Sequence, residues 1–125
     1  MNFEEKLPKS IIVHIDRFSL SRDLQLEALQ EFKELCLSSG TEVCAEVSGK
    51  IDRPSPNFFV KQGKVEEIKE LTRAHKATLV IFNNELTPSQ ERNLEKFLGA
   101  RVLDRTSLIL DIFATRASSH IGKLQ

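Results

Sequence analysis

The apolar residues of this chain change their period repeatedly, and that switching limits what the chain can fold into. Short runs of consecutive aliphatic side chains alternate with segments whose apolar residues recur every third or fourth position. A strand, a helix and a further strand in one sheet need a crossover connection. Such connections make the strands mainly parallel and lay helices over both sheet faces. Ala77–Asn83 (ATLVIFN) is the clearest strand, with Leu79–Phe82 apolar between polar ends. Ser10–Asp16 (SIIVHID) reads as a strand buried on both faces. Thr41–Val47 reads as another, with Val43, Ala45 and Val47 on one face, and Val102 and Leu103 centre a fourth. Phe58–Val60 is either a very short strand or the packed end of the loop 48–57, which Gly49, Pro54 and Pro56 break.

The helices fall between these runs. Leu24, Ala28, Leu29, Phe32, Leu35 and Cys36 form one stripe, which Gly40 stops because glycine takes the left-handed conformation freely. Gly63 opens a second helix with Val65, Ile68, Leu71 and Ala74 inward. Thr87, Pro88 and Gln90 make an N-cap, an N1 proline and an N3 partner for a third, a capping-box arrangement. That helix buries Leu94, Phe97 and Leu98 and ends at Gly99. From Thr106 a last helix places Leu108 or Ile109, Ile112, Phe113 and Arg116 on one side. The expected architecture is α/β: a mainly parallel four-stranded open sheet with helices on both faces, ending in a truncated helical segment. Residues 1–105 form the α/β subdomain and 106–125 the C-terminal helix.

A chain of 125 residues makes one domain, able to bury roughly two thirds of its unfolded surface. Eighteen Lys and Arg against eighteen Asp and Glu leave zero formal charge, so no bulk electrostatic pull toward nucleic acid or membrane exists. The charge is graded, from net −3 over 1–60 (seven basic, ten acidic) to net +2 over 99–125 (four basic, two acidic). No apolar run approaches the ~20 residues that span a bilayer, and the opening MNFEEKLPKS has no apolar core of a secretory signal. The two cysteines, Cys36 and Cys44, are too few for a disulfide scaffold. They read as inert buried thiols, and the compartment is most simply the cytosol.

Known catalytic patterns are missing. No G-x-G-x-x-G follows the first strand. The pairs Gly49-Lys50, Gly63-Lys64 and Gly122-Lys123 lack the following Ser or Thr and the glycine spacing of a phosphate loop. No serine sits in a G-x-S-x-G elbow. His14, His75 and His120 have no metal-ligand spacing, and Cys36 with Cys44 is a poor zinc pair. His14, inside an apolar strand, reads as a satisfied core or near-core histidine. Asp16 ends the first strand without the acidic pair that a phosphate-accepting aspartate needs to hold magnesium. Catalytic residues and metal ligands are therefore expected to be absent.

Two polar segments stay open on physical grounds. Lys61-Gln62-Gly63-Lys64 is a basic turn at a helix start, either an anion site or a solvated loop. Asp104-Arg105-Thr106 lies between strand and helix, where Asp104 or Thr106 can simply act as a cap.

Three segments together carry a resemblance. FFVKQGKVEEI (Phe58–Ile68), NNELTPSQERNLEK (Asn83–Lys96) and VLDRTSLILDIFATRASSHIGKLQ (Val102–Gln125) resemble the N-terminal domain of the HflX family of ribosome-associated GTPases. The likeness is dense from Phe58 onward. This chain departs from the family pattern at Lys61 and Gln62, which replace a first Gly-Lys, at Ser107, which replaces glycine, and at Ser118 and Ile121.

The resemblance implies an α/β N-terminal subdomain followed, in the whole protein, by a helical hairpin and a GTPase domain that holds GTP and magnesium. Both of those later parts are expected to lie outside this chain, which then has no cofactor of its own. The implied partners are the large ribosomal subunit, through its RNA, and the parent's own hairpin and GTPase domain. A neutral domain must meet RNA through a local patch, with phosphate contacts dominating. The candidate residues are Lys61, Lys64, Arg101, Arg105, Arg116 and Lys123. Two rival readings are an intramolecular domain restraining the GTPase through its apolar last helix, and a weak ATP-binding domain using the crevice at the strand ends.

Overall fold

The structure, a computed structural model, describes residues 7–124, with side chains described through residue 115. Its elements run β1 (Lys9–Asp16), α1 (Arg22–Ser38), β2 (Glu42–Lys50), α2 (Gln62–Ala74), β3 (Leu79–Phe82), α3 (Pro88–Leu98), β4 (Arg101–Leu103) and α4 (Arg105–Leu124). The four strands form one sheet in the order β2-β1-β3-β4, and every pairing is parallel. This is the α/β architecture that the alternating periods require.

The sheet divides the core into two apolar clusters. On one face Ile11, Val13, Ile15, Val47, Val80, Phe82 and Val102 meet Val65 and Ile68 of α2 and Leu94 and Leu98 of α3. On the other, Ile12, Ile81 and Leu103 meet Phe32 and Cys36 of α1 and Leu108 and Ile112 of α4. The strict alternation of β1 feeds both clusters, so all of Ile11, Ile12 and Val13 are buried. Burying each such side chain stabilises the fold by roughly 1.5–3 kcal/mol.

The ends of the elements follow local chemistry. Thr87 Oγ1 accepts from the Gln90 backbone N–H, and Gln90 Oε1 accepts in return from the Thr87 N–H, so the capping box is complete. Asp104 rather than Thr106 caps α4: its carboxylate accepts from the N–H of Ser107 at 2.9 Å. Gly40 and Gly99 sit at φ +81° and +68° after α1 and α3, a backbone region that costs other residues energy.

Several sequence expectations are corrected. Val43 does not share a face with Ala45 and Val47. Ser10 pairs with Val43 but Ile11 pairs with Ala45, so Cys44 is an extra, unmatched residue and a bulge inverts the alternation. Val43 therefore packs on the α1 side, while Ala45 and Val47 pack on the α2 side. Cys44 is half-buried rather than buried, because it occupies that bulge on an edge strand. The strand also continues through Ser48, Gly49 and Lys50, which pair with His14, Ile15 and Asp16, so the loop starts later than expected.

Among the helices, Ala74 is exposed and Thr72 is buried, its hydroxyl donating back to the Ile68 carbonyl at 2.7 Å. Leu24 is 50% and Phe113 68% exposed, so each lies outside the buried stripe assigned to it. Phe97 is half-buried against its cluster. Phe58–Val60 is the packed end of a loop, tied by one antiparallel bridge between Ser55 and Phe59.

Candidate functional site at the carboxyl edge of the sheet

The order β2-β1-β3-β4 places a reversal of chain direction across the sheet between β1 and β3. From β1 the chain moves outward to β2, then crosses back to β3. At such a point the following helices go to opposite faces, and α/β proteins commonly bind ligands in the crevice between them. In this protein side chains fill that crevice. The Asn84 amide donates to the Ile15 carbonyl at 2.9 Å, and its oxygen faces the Ile15 N–H at 3.4 Å. Asn84 thus prolongs the β1–β3 ladder past the last residue of β3.

Its neighbour Asn83 connects the two sides. Arg105 Nη1 donates to Asn83 Oδ1 at 2.7 Å, and Arg105 Nη2 donates to Glu31 Oε1 of α1 at 2.6 Å. Asn83 Nδ2 lies 3.0 Å from His14 Nδ1. A guanidinium can only donate, so it fixes the Asn83 oxygen toward Arg105 and the amide N–H toward His14. His14 Nδ1 must then accept, and the imidazole proton sits on Nε2. That Nε2 is buried and has no hydrogen-bond partner. Burial lowers the His14 pKa below the ordinary imidazole value, and the Asp16 carboxylate only partly opposes it. The neutral ring that the hydrogen bonds require is the ring that burial favours. His14 is therefore less fully satisfied than a core histidine should be.

Asp16 closes the end of β1. Its Oδ1 accepts from the Phe18 N–H at 3.0 Å, and its Oδ2 accepts from the Leu20 N–H and the Gln25 amide, both at 3.1 Å. These three hydrogen bonds direct the carboxylate at the turn and α1. Beyond this turn a cleft of about 310 Å³ runs between α1 and the sheet, lined by His14, Asp16, Leu26, Leu29, Ser48 and Lys50. A smaller one of about 100 Å³ lies by Gly49, Lys61 and Lys64. The second is too small for a nucleotide, and the first is at the lower end of small-molecule sites.

The six candidate cations do not form one patch among the described residues. Lys61 and Lys64 are brought together at the start of α2, beside the end of β2. Lys64 Nζ donates to the Ser48 carbonyl at 2.9 Å and to Glu67 Oε1 at 3.1 Å. A Cβ on Gly49 would stand 3.2 Å from Lys64 Cε, so the missing side chain gives the lysine its path over the strand. Lys61 is exposed. Arg105 shares the carboxyl edge but is held by Asn83 and Glu31. Arg101 pairs in register with Leu79, the first residue of β3, and so lies at the opposite, amino edge, 3.9 Å from Asp111. The Arg116 and Lys123 side chains lie outside the described residues.

The chain of contacts from His14 through Asn83 and Arg105 to Glu31 escaped the sequence reading. Its one signal was a pair of asparagines directly after the strongest strand, where polar side chains face a neighbouring strand end. Among the described residues no cluster of His, Cys, Asp and Glu could hold a metal ion. No helix there is long and apolar enough to cross a membrane. The Cys36 thiol is pushed up to about 12 by burial, and the Cys44 thiol is raised by burial and by Glu42.

Comparison with known proteins bears on this arrangement. The chain is 46% identical over 117 residues to the GTPase HflX of Escherichia coli, covering 94% of this chain and 27% of that protein. It is 40% identical over 125 residues to the GTPase HflX of Flavobacterium psychrophilum, covering 100% of this chain and 29% of the relative. The chain therefore spans less than a third of these curated relatives. Among solved structures, it superposes on a GTP-binding protein from the archaeon Sulfolobus solfataricus in complex with GDP. The TM-score is 0.63 at 22% identity, over 85% of this chain and 30% of the other. A further structure, of SsGBP with GDP, gives a TM-score of 0.65 at 22% identity, over 86% of this chain and 29% of the other. At that identity the likeness bears on the fold alone. A family described as GTP-binding GTPase N-terminal matches residues 26–114. With that match spanning most of its length, the chain belongs to the family of GTP-binding GTPase N-terminal domains, the domain that HflX proteins carry.

Proposed function

We propose that this domain docks an HflX-type GTPase on the large ribosomal subunit, by phosphate contacts to its RNA. The parent protein would bind and hydrolyse GTP with magnesium in a separate domain and act in the cytoplasm on whole ribosomes, splitting them. The observation that carries a docking role is the filled crevice. Asn84, Asn83 and Arg105 occupy the place where an α/β domain would seat a nucleotide. A surface role remains, and the exposed Lys61 at the start of α2, with Lys64 beside it, offers the free cation for it. Arg105, Arg116 and Lys123 complete the proposed set, with Arg105 contributing only as far as its internal contacts allow, and Arg101, at the amino edge, would meet RNA at a separate place.

Cosedimentation of the chain with purified large subunits over a salt series tests the reading. Binding should weaken steeply as salt rises, because each phosphate contact releases counterions. Lys61→Glu should lower binding at every salt concentration and reduce the slope by about one ion. Absence of binding at low salt would remove the docking role.

One observation favours a second reading, in which the domain restrains the GTPase domain of its parent. Leu110 and Phe113 of α4 are 62% and 68% exposed and leave an apolar outer face. GTPase rates of a full-length parent with and without residues 1–125 separate the two readings, since restraint requires the shortened protein to be faster. The filled crevice weighs against ATP binding by this domain. Titration with labelled ATP to millimolar concentration should give no saturable signal.

A further inference from the structure

The turn after β1 displays an aromatic ring that the fold leaves bare. Phe18 is 76% exposed, and Arg17 stands beside it with its guanidinium carbon 5.7 Å from the ring centroid. The turn that carries them is fixed from below. Asp16 accepts from the N–H groups of Phe18 and Leu20, and Gln25 Nε2 donates both to Asp16 and, at 2.6 Å, to the Leu20 carbonyl. Ser19 between them takes φ +51°, an unfavourable value for a residue with a side chain. A buried carboxylate and a glutamine thus hold a bulky apolar side chain out into water. Lys50, exposed, is the register partner of Asp16 and flanks the same turn.

From this geometry we infer that the Arg17-Phe18 turn is a stacking platform for an unpaired RNA base. A flat hydrophobic ring with a guanidinium over it matches the two surfaces on which nucleobases stack in single-stranded RNA. Arg17 and Lys50 supply positive charge for the adjoining phosphates. An apolar protein partner would meet the same ring, but it gains nothing from two flanking cations. The inference deepens the docking role and rests on it, adding base contact to phosphate contact at a second place on the carboxyl edge.

The chain contains no tryptophan or tyrosine, so Phe18→Trp installs a single indole reporter on the exposed turn. Its emission is followed as a twelve-nucleotide oligoadenylate is added, beside an abasic phosphodiester of equal length and charge. Stacking predicts saturable quenching by the oligoadenylate and none by the abasic strand. Phe18→Ala should weaken oligoadenylate binding about tenfold while leaving the salt slope unchanged, and Phe18→Trp should restore it. Equal affinity of wild type and Phe18→Ala for the oligoadenylate would overturn the inference. So would self-association of the chain, detected by sedimentation velocity, that Phe18→Ala abolishes while RNA binding persists, since that assigns the ring to a second copy. Subunit cosedimentation scores the docking role separately: large subunits bound equally by wild type and Phe18→Ala leave docking standing and remove the platform.

Discussion

Asn83, held in one orientation by Arg105, bears in turn on the charge state of His14. With its oxygen committed to Arg105, Asn83 offers His14 only an N–H. A proton arriving on Nδ1 would set two donors against each other and force Asn83 to release Arg105. Burial works in the same direction by holding the His14 pKa below 6.5, with Asp16 as the opposing charge. The unfolded chain therefore binds this proton more readily than the folded one. Stability from this site is complete above about pH 6.5 and declines as the pH falls through that value toward the lower folded pKa. Urea midpoints measured at about pH 7.5 and pH 5.5 should show that decline. His14→Gln keeps an acceptor for Asn83 without a titrating group, so its midpoint should fall less over the same interval. Equal losses in the two proteins would show that His14 does not carry the effect.

At the scale of elements, what could be read in advance depended on whether the information was local. The third helix was legible to the residue because Thr87, Gln90 and Gly99 each satisfy an unpaired backbone group at a fixed offset, while Pro88 at N1 carries no N–H to leave unpaired. Removing one should have a local cost. Thr87→Ala should destabilise the domain by about 1 kcal/mol in urea titration, the ordinary worth of an N-cap. Gln90→Ala should cost more, because Gln90 also donates to the Ser55 carbonyl at 2.8 Å and ties the loop before α2 to α3. A smaller loss for Gln90→Ala than for Thr87→Ala would mean that this tie adds nothing. The second strand was legible as a strand but not in its facing, since a bulge at Cys44 is set by pairing with β1 and leaves no mark in the alternation itself. The same distinction governs the site. Lys61 and Lys64 are near in sequence and lie together at the start of α2, whereas Glu31, Asn83 and Arg105 are joined only by strand order, which periodicity does not encode. Phe113 was misplaced because an apolar face that looks outward has the same period as one that looks inward.

For the molecule as a whole, the sheet is a shared wall between two apolar clusters that have no buried residue in common. Whether they melt together depends on how tightly that wall joins them. Ile11 and Ile12 are adjacent on β1, are both fully enclosed, and face opposite clusters, so displacing the strand disturbs both at once. β1 also pairs with both β2 and β3 at the centre of the sheet. Neither cluster has a sheet of its own to retain when the other opens, and one cooperative unit follows. Leu94→Ala on the α3 side and Leu108→Ala on the α4 side should each cost about 2–5 kcal/mol, the range for truncating a buried leucine. In each variant the amides of Phe32 in α1 and Ile68 in α2, whose side chains are buried, should lose hydrogen-exchange protection by the same amount. Loss at Phe32 alone in Leu108→Ala would instead show that α1 and α4 form a separable layer. A domain built that way could let its last helix move without unfolding the face that bears Lys61 and Lys64.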